Sequence, residues 1–115
     1  MADDTIFDLI LKGEIPSTTV YEDDFVKSIK DIDPKAPVHI IVIPKHKIVS
    51  LRDTDQASDS DLAGFMRGIS KTAAEIGLND GGYRVVFNTG RDAQQSVAYI
   101  HAHILGGRTL AWPPG

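Results

Sequence analysis

The stretch Val38-His39-Ile40-Ile41-Val42-Ile43, closed by Pro44, is the most restrictive in the chain. β-Branched side chains dominate it, and polar and apolar positions do not alternate. It therefore reads as a strand covered on both faces. The chain's 115 residues are one domain's worth, enough for a single compact core but not for two. The expectation is one domain spanning residues 1–115.

The remaining elements fall around that strand. Ile6 to Lys12 reads as a short helix, with Asp4 or Thr5 as N-cap and Gly13 suited to the position after its end. Pro16 separates it from an extended run, Thr18 to Tyr21. Glu22-Asp23-Asp24 then turns into a second strand, Phe25 to Lys30. A polar segment, Arg52 to Asp59, leads to one long helix, Asp61 to Ile76. Its Leu62, Phe65, Met66, Ile69, Ala73 and Ile76 make an apolar stripe at helical spacing. Two more strands follow, Tyr83 to Asn88 and Val97 to Leu105, around a polar loop, Thr89 to Ser96. Gly106-Gly107 closes the last strand, and Trp112-Pro113-Pro114-Gly115 is a tail that cannot be helical. The order α-β-β-β-α-β-β with short connections predicts an α+β domain, an antiparallel sheet with its helices on one face.

Charge and composition narrow the function. The formal net charge is −4 and no basic run exceeds Lys45-His46-Lys47, which argues against a nucleic-acid partner. A single small phosphate needs no basic protein, because backbone amides and a few polar side chains can hold it. No apolar stretch is long enough to span a bilayer. The start, Met1-Ala2-Asp3-Asp4-Thr5, lacks the basic and apolar runs of a secretory signal, so a cytoplasmic protein without membrane association is expected. The chain has no cysteine, which removes thiolate chemistry.

The chemistry concentrates in the last strand. Alternation puts Ala98, Ile100, Ala102 and Ile104 on one face, all apolar and suited to packing on the long helix. Val97, Tyr99, His101, His103 and Leu105 take the other face, so two imidazoles and a phenol line up there. Two histidines at i and i+2 read equally as a satisfied polar pair or as base, nucleophile or ligand. Gln94, Gln95 and Ser96 bring amide and hydroxyl donors directly before the strand, where an anion beside the imidazoles could be held. Asn88, at the end of the preceding strand, offers an amide to the same anion; in isolation Ser96 and Asn88 read equally as ordinary turn residues.

The run from Gln95 through Tyr99-Ile100-His101-Ala102-His103 to Arg108 resembles the signature of the histidine-triad (HIT) family, Hint branch. That signature is His-x-His-x-His followed by two apolar residues. Thr5-Ile6-Phe7, Glu14-Ile15-Pro16, Glu22-Asp23-Asp24, Asp31-Ile32, Ala36-Pro37-Val38-His39, Val42-Ile43-Pro44-Lys45 and Trp112-Pro113-Pro114-Gly115 look like segments of that branch in the same order. The resemblance implies a five-stranded antiparallel sheet with two helices, joined across a homodimer into ten strands. It implies binding of purine nucleoside monophosphates, and hydrolysis of adenosine 5′-phosphoramidates to AMP and amine through a nucleotidyl-histidine, with no cofactor. Carried over by position, His101 is the nucleophile, and His103 contacts the phosphate and helps the leaving group. Ser96 and Asn88 match phosphate contacts, and Asp31 the ribose hydroxyls. Ile32, Phe7 and Ile15 match the base pocket, the latter two being equally plain core residues. Gln95 and Tyr99 are grouped with the substrate contacts, and Trp112 with the partner subunit's site.

Three positions depart from the family pattern. Tyr99 stands where the first triad histidine would be. Lys47 stands where a supporting histidine would be, with His46 one place early and so on the opposite face of an extended segment. Gln94 replaces a glycine of the phosphate loop, where a side chain could keep the backbone from the phosphate. A Lys47–Tyr99 hydrogen bond is the expected replacement for the missing histidine pair. Two further readings stay open. One is a nucleotide-binding or scaffold protein of this fold with decayed catalysis. The other is a metal site of His101, His103 and either His46 or His39, although no carboxylate is near in sequence to complete it and His39 reads as a packed or edge histidine.

Overall fold

The computed structural model describes residues 3–115; Met1 and Ala2, the start of the acidic segment discussed above, lie outside the described residues. α1 (Ile6–Leu11) begins at Thr5, whose side chain and backbone exchange hydrogen bonds with Asp8 in a capping box. Gly13 follows its end at φ +78°, the left-handed conformation that glycine adopts at little cost. β1 (Thr19–Glu22), β2 (Val26–Lys30), β3 (Val38–Pro44), β4 (Tyr83–Val86) and β5 (Ala102–Gly106) form one antiparallel sheet in the order β1-β2-β3-β5-β4. Asp23 makes the turn between β1 and β2 by accepting from the N–H groups of Phe25 and Val26.

The long helix, α2, runs Asp59–Glu75, two residues earlier than its apolar pattern indicates. Ser58 caps it by accepting from Asp61 N–H. The segment read as merely polar holds a 3₁₀ helix, Leu51–Gln56, capped by Ser50. The buried face of α2 carries Phe65, Ile69 and Ala73 as expected, together with Gly64, Gly68 and Thr72. Met66 is 60% exposed and does not belong to the stripe. Thr72 Oγ donates to Gly68 O at 2.7 Å, and Ser28 Oγ on β2 lies 2.7 Å from it, so the Ser28 hydroxyl donates to Thr72. Among the described residues no helix is long and apolar enough to cross a membrane.

The helices do not share a face, contrary to the expectation from element order. On β3, Ile40 and Val42 pack with Val26, Ile104 and the α2 residues Phe65 and Ile69. Ile41 and Ile43 pack with Ile29, Tyr99 and the α1 residues Phe7 and Ile10. Both faces of β3 are thus covered, one by each helix, which is what its unalternating apolar run requires. The last strand is also shorter than expected. β5 pairs with β3 only from Ala102, opposite Val42, to Gly106, opposite Val38. Beyond Val42 the chain reaches Pro44, which has no N–H to offer. Residues 97–101 are held instead by an Ile100 N–H bond to Ile48 O and by Tyr99 Oη donating to Pro44 O. Alternation persists through most of this stretch: Ile100, Ala102 and Ile104 enter the α2 core, whereas Ala98 is exposed.

Candidate functional site

His103 is the centre of a cleft of about 400 Å³ also lined by Asp31, Asp33, Lys35, His39, Val86, Asn88, Ser96 and Leu105. Sheet order explains the convergence. β5 lies between β3 and β4, and His103 pairs with Ile41 on one side and Val86 on the other. The loop that leaves β4 carries Asn88 outward and returns Ser96 beside β5. The expected phosphate contacts Asn88, Ser96 and His103 therefore share one cleft with Asp31. Its volume falls in the range of small-ligand sites.

His101 lies just behind. Its ring is buried, 5.0 Å from the His103 ring and 4.7 Å from that of Phe7, edge to face. Nδ1 is 2.8 Å from the carbonyl oxygen of Tyr99, which can only accept; Nδ1 therefore carries the proton and Nε2 a free lone pair. Burial lowers the pKa of His101, against the opposing pull of that carbonyl. Burial, reinforced by repulsion from His101 and His39, pushes His103 down to about 4. Both rings are neutral at pH 7, the form an imidazole nucleophile needs.

The other predicted residues divide. Phe7 is a buried neighbour of His101 and Ile15 packs beside it in the α1 core. Ile32 is 97% exposed and Trp112 is 79% exposed, neither lining the cleft. The guanidinium of Arg84 lies 5.7 Å from the Trp112 ring and bonds Ala111 O. Gln95 does not offer its amide to a ligand. Its Oε1 accepts from Gly90 N–H and its Nε2 donates to Val49 O and Val97 O, closing the loop on itself. Tyr99 also falls outside the cleft: its ring is fully buried against α1, and its hydroxyl is bound to Pro44 O at 2.6 Å. The expected Lys47–Tyr99 hydrogen bond is not formed. Lys47 Nζ pairs with Asp8 at 2.8 Å and stands 5.5 Å over the Tyr99 ring, a cation–π contact. His46 points the other way, toward Asp61 and Gln56 O, as a one-residue shift requires. Gln94 takes φ +58°, the left-handed conformation where the family pattern has glycine.

The fold supplies a carboxylate that sequence proximity did not reveal. Asp31 Oδ2 is 3.2 Å from His39 Nε2, which is 2.8 Å from His103 Nδ1. Ligand atoms of these three residues lie within 4.8 Å of one another, the only such cluster of three or more among the described residues, and His46 and His101 take no part. The proton chemistry disfavours a metal there. To ligate through Nε2, His39 would carry its proton on Nδ1, which already faces the Lys35 backbone N–H at 3.0 Å. Two donors would then oppose each other. A hydrogen-bonded row satisfies every atom.

The HIT domain family profile matches residues 12–110. The chain is 42% identical to the purine nucleoside phosphoramidase of Escherichia coli K12 over 110 residues, covering 96% of this chain and 92% of that one. It is 48% identical to the 14 kDa zinc-binding protein of Zea mays over 114 residues, covering 96% and 88%. Its fold matches the crystal structure of a HIT family hydrolase from Legionella pneumophila with a TM-score of 0.87 at 42% identity, covering 97% of this chain and all of the other. With a two-histidine strand set in a sheet of this order, and likeness along nearly its full length, the chain belongs to the HIT domain family.

Proposed function

We propose that this chain is a single-domain hydrolase that cleaves the P–N bond of adenosine 5′-phosphoramidates. His101 Nε2 attacks phosphorus, the P–N bond breaks, and the amine departs with a proton drawn from the solvent, which the hydrolytic step returns. Water then cleaves the nucleotidyl-His101 intermediate to AMP and regenerates the imidazole. The observation that carries this reading is the His101 Nδ1–H bond to Tyr99 O, which leaves Nε2 with a bare lone pair on a ring packed against that of His103. Ser96, Asn88 and His103 hold the phosphate, His103 assists the departing amine, and Asp31 takes the ribose hydroxyls. Ile32, exposed next to Asp31, flanks the base, with Phe7 and Ile15 behind.

The working unit is a cytoplasmic homodimer joined along β4 into a ten-stranded sheet. β4 is a sheet edge on which Tyr83 and Val85 are partly exposed, whereas the β1 edge is irregular and fringed by the Lys27–Glu22 and Lys45–Glu22 ion pairs. Trp112 then reaches the partner's cleft and affects which leaving group fits.

The second reading, nucleotide binding without turnover, draws on Tyr99, whose hydroxyl is committed to Pro44 and relays no proton to His101. Release of a fluorescent amine from an adenosine 5′-phosphoramidate separates the two. Turnover that disappears in His101→Ala supports the hydrolase; AMP binding with no turnover by the native chain rejects it.

A further inference from the structure

His39 is a buried imidazole for which the reaction above has no task. It lies on β3 two residues before Ile41, the cross-strand partner of His103, so the two rings are diagonal neighbours on one sheet face. Its side chain is 4% exposed and both nitrogens are engaged. Nδ1 faces the Lys35 backbone N–H at 3.0 Å. A backbone N–H can only donate, so Nδ1 is the acceptor and bears no proton. Burial holds His39 below the ordinary imidazole range, opposed by the nearby Asp31 charge, and the ring is neutral at pH 7 with its one proton on Nε2.

That N–H has two acceptors in reach, His103 Nδ1 at 2.8 Å and Asp31 Oδ2 at 3.2 Å. The shorter contact fixes the state of His103: if Nδ1 accepts, the ring proton of neutral His103 sits on Nε2. No protein group among the described residues bonds that nitrogen, and none of their side-chain N or O atoms is buried without a partner, so Nε2–H is open to the cleft. His101 is protonated on the opposite nitrogen, Nδ1. Two neutral histidines two residues apart, their ring centroids 5.0 Å from each other, thus carry opposite tautomers, a lone pair on His101 Nε2 and an N–H on His103 Nε2.

We infer that His39 is a positioning residue: anchored by the Lys35 backbone, it holds His103 in the Nε2–H tautomer, as a donor to a phosphoryl oxygen. Only the kinetic part of its test rests on the hydrolase reading.

The tautomers are read from two-bond 1H–15N correlation spectra of the full chain with labelled histidine, free of ligand and near pH 7.5. The expected native pattern is a protonated Nε2 on His103 and on His39, and a protonated Nδ1 on His101. In His39→Leu the donor is lost and His103 populates both tautomers. In His39→Gln a side-chain N–H can reach His103 Nδ1 and restores the native pattern. In the phosphoramidate assay His39→Leu lowers kcat about tenfold with little change in KM, the order of one lost buried hydrogen bond, and His39→Gln recovers most of it. A proton on His103 Nδ1 in the native chain overturns the inference, as does an unaltered His103 pattern in His39→Leu. The native spectrum decides even if the leucine variant does not fold. A native chain with the expected tautomers but no turnover overturns the hydrolase reading and leaves the positioning role intact.

Discussion

At the scale of single residues, Tyr99 serves two parts of the structure with its two ends. Its backbone carbonyl orients His101, while its side chain turns into the α1 core and closes on Pro44 O. Burial, and secondarily the Asp8 charge, raise its phenol pKa, so Tyr99 stays a neutral donor. Tyr99→Phe leaves a buried carbonyl unpaired and should cost about 1–2 kcal/mol by urea unfolding. Because residue 99 orients His101 through its backbone carbonyl, kcat should stay within about threefold of native. His101 and His103 were legible from strand alternation alone, and their roles only by resemblance. The position of His39 was not, because the β3–β5 pairing joins residues 64 apart in sequence. Gln95 and Tyr99, grouped by resemblance with the substrate contacts, have side chains that satisfy backbone groups instead, which a polar residue near an anion site can equally do.

At the scale of elements, small residues govern how α2 sits on the sheet. A Cβ on Gly68 would lie 2.6 Å from both Val26 methyls and 3.2 Å from its Cβ, on a valine that is fully buried. Gly68→Ala gains at most about 1 kcal/mol of helix propensity. Overpacking costs about 1–3 kcal/mol, so the variant should be less stable in urea. The same fact explains the misplaced stripe. A scan for large apolar side chains passes over Gly64, Gly68 and Thr72, which take the close contact, and picks up Met66 on the exposed side. At the other helix, burial opposes ionisation of Asp8, but bonds from Lys47 and Thr5 prevail and lower its pKa. Asp8→Ala removes the capping box and the Lys47 tie together and should cost about 1–2 kcal/mol by thermal unfolding. In the loop of residues 89–96, Gln94→Gly should be neutral to about 1 kcal/mol stabilising, as relief of the left-handed backbone outweighs the added chain entropy.

At the scale of the whole molecule, the buried imidazoles tie stability to pH. His103 falls from an ordinary 6.5 to about 4 on folding. The unfolded chain therefore binds the proton at a higher pH than the folded one. The stability His103 confers is complete above pH 6.5 and is lost as pH falls toward 4. Between pH 7 and 5 the loss should be about 1–2 kcal/mol, visible as a lower thermal midpoint, and His103→Asn should flatten that dependence. Sedimentation should give twice the chain mass, and a lysine at Val85 on the β4 edge should shift it toward one. The sheet also separates two regions, one packed on each of its faces. On the α2 side, Ser28, Thr72 and Gly68 form a keyed lock: rotating or sliding the helix would strand two hydroxyls in a dry interior. The sheet face with the imidazoles is the other one. The α2 face should therefore respond little to what happens at the cleft. Filling the cleft should quieten the loop of residues 89–96 while leaving amide exchange along α2 unchanged, so a macromolecule resting on that helix should not sense whether the cleft is occupied.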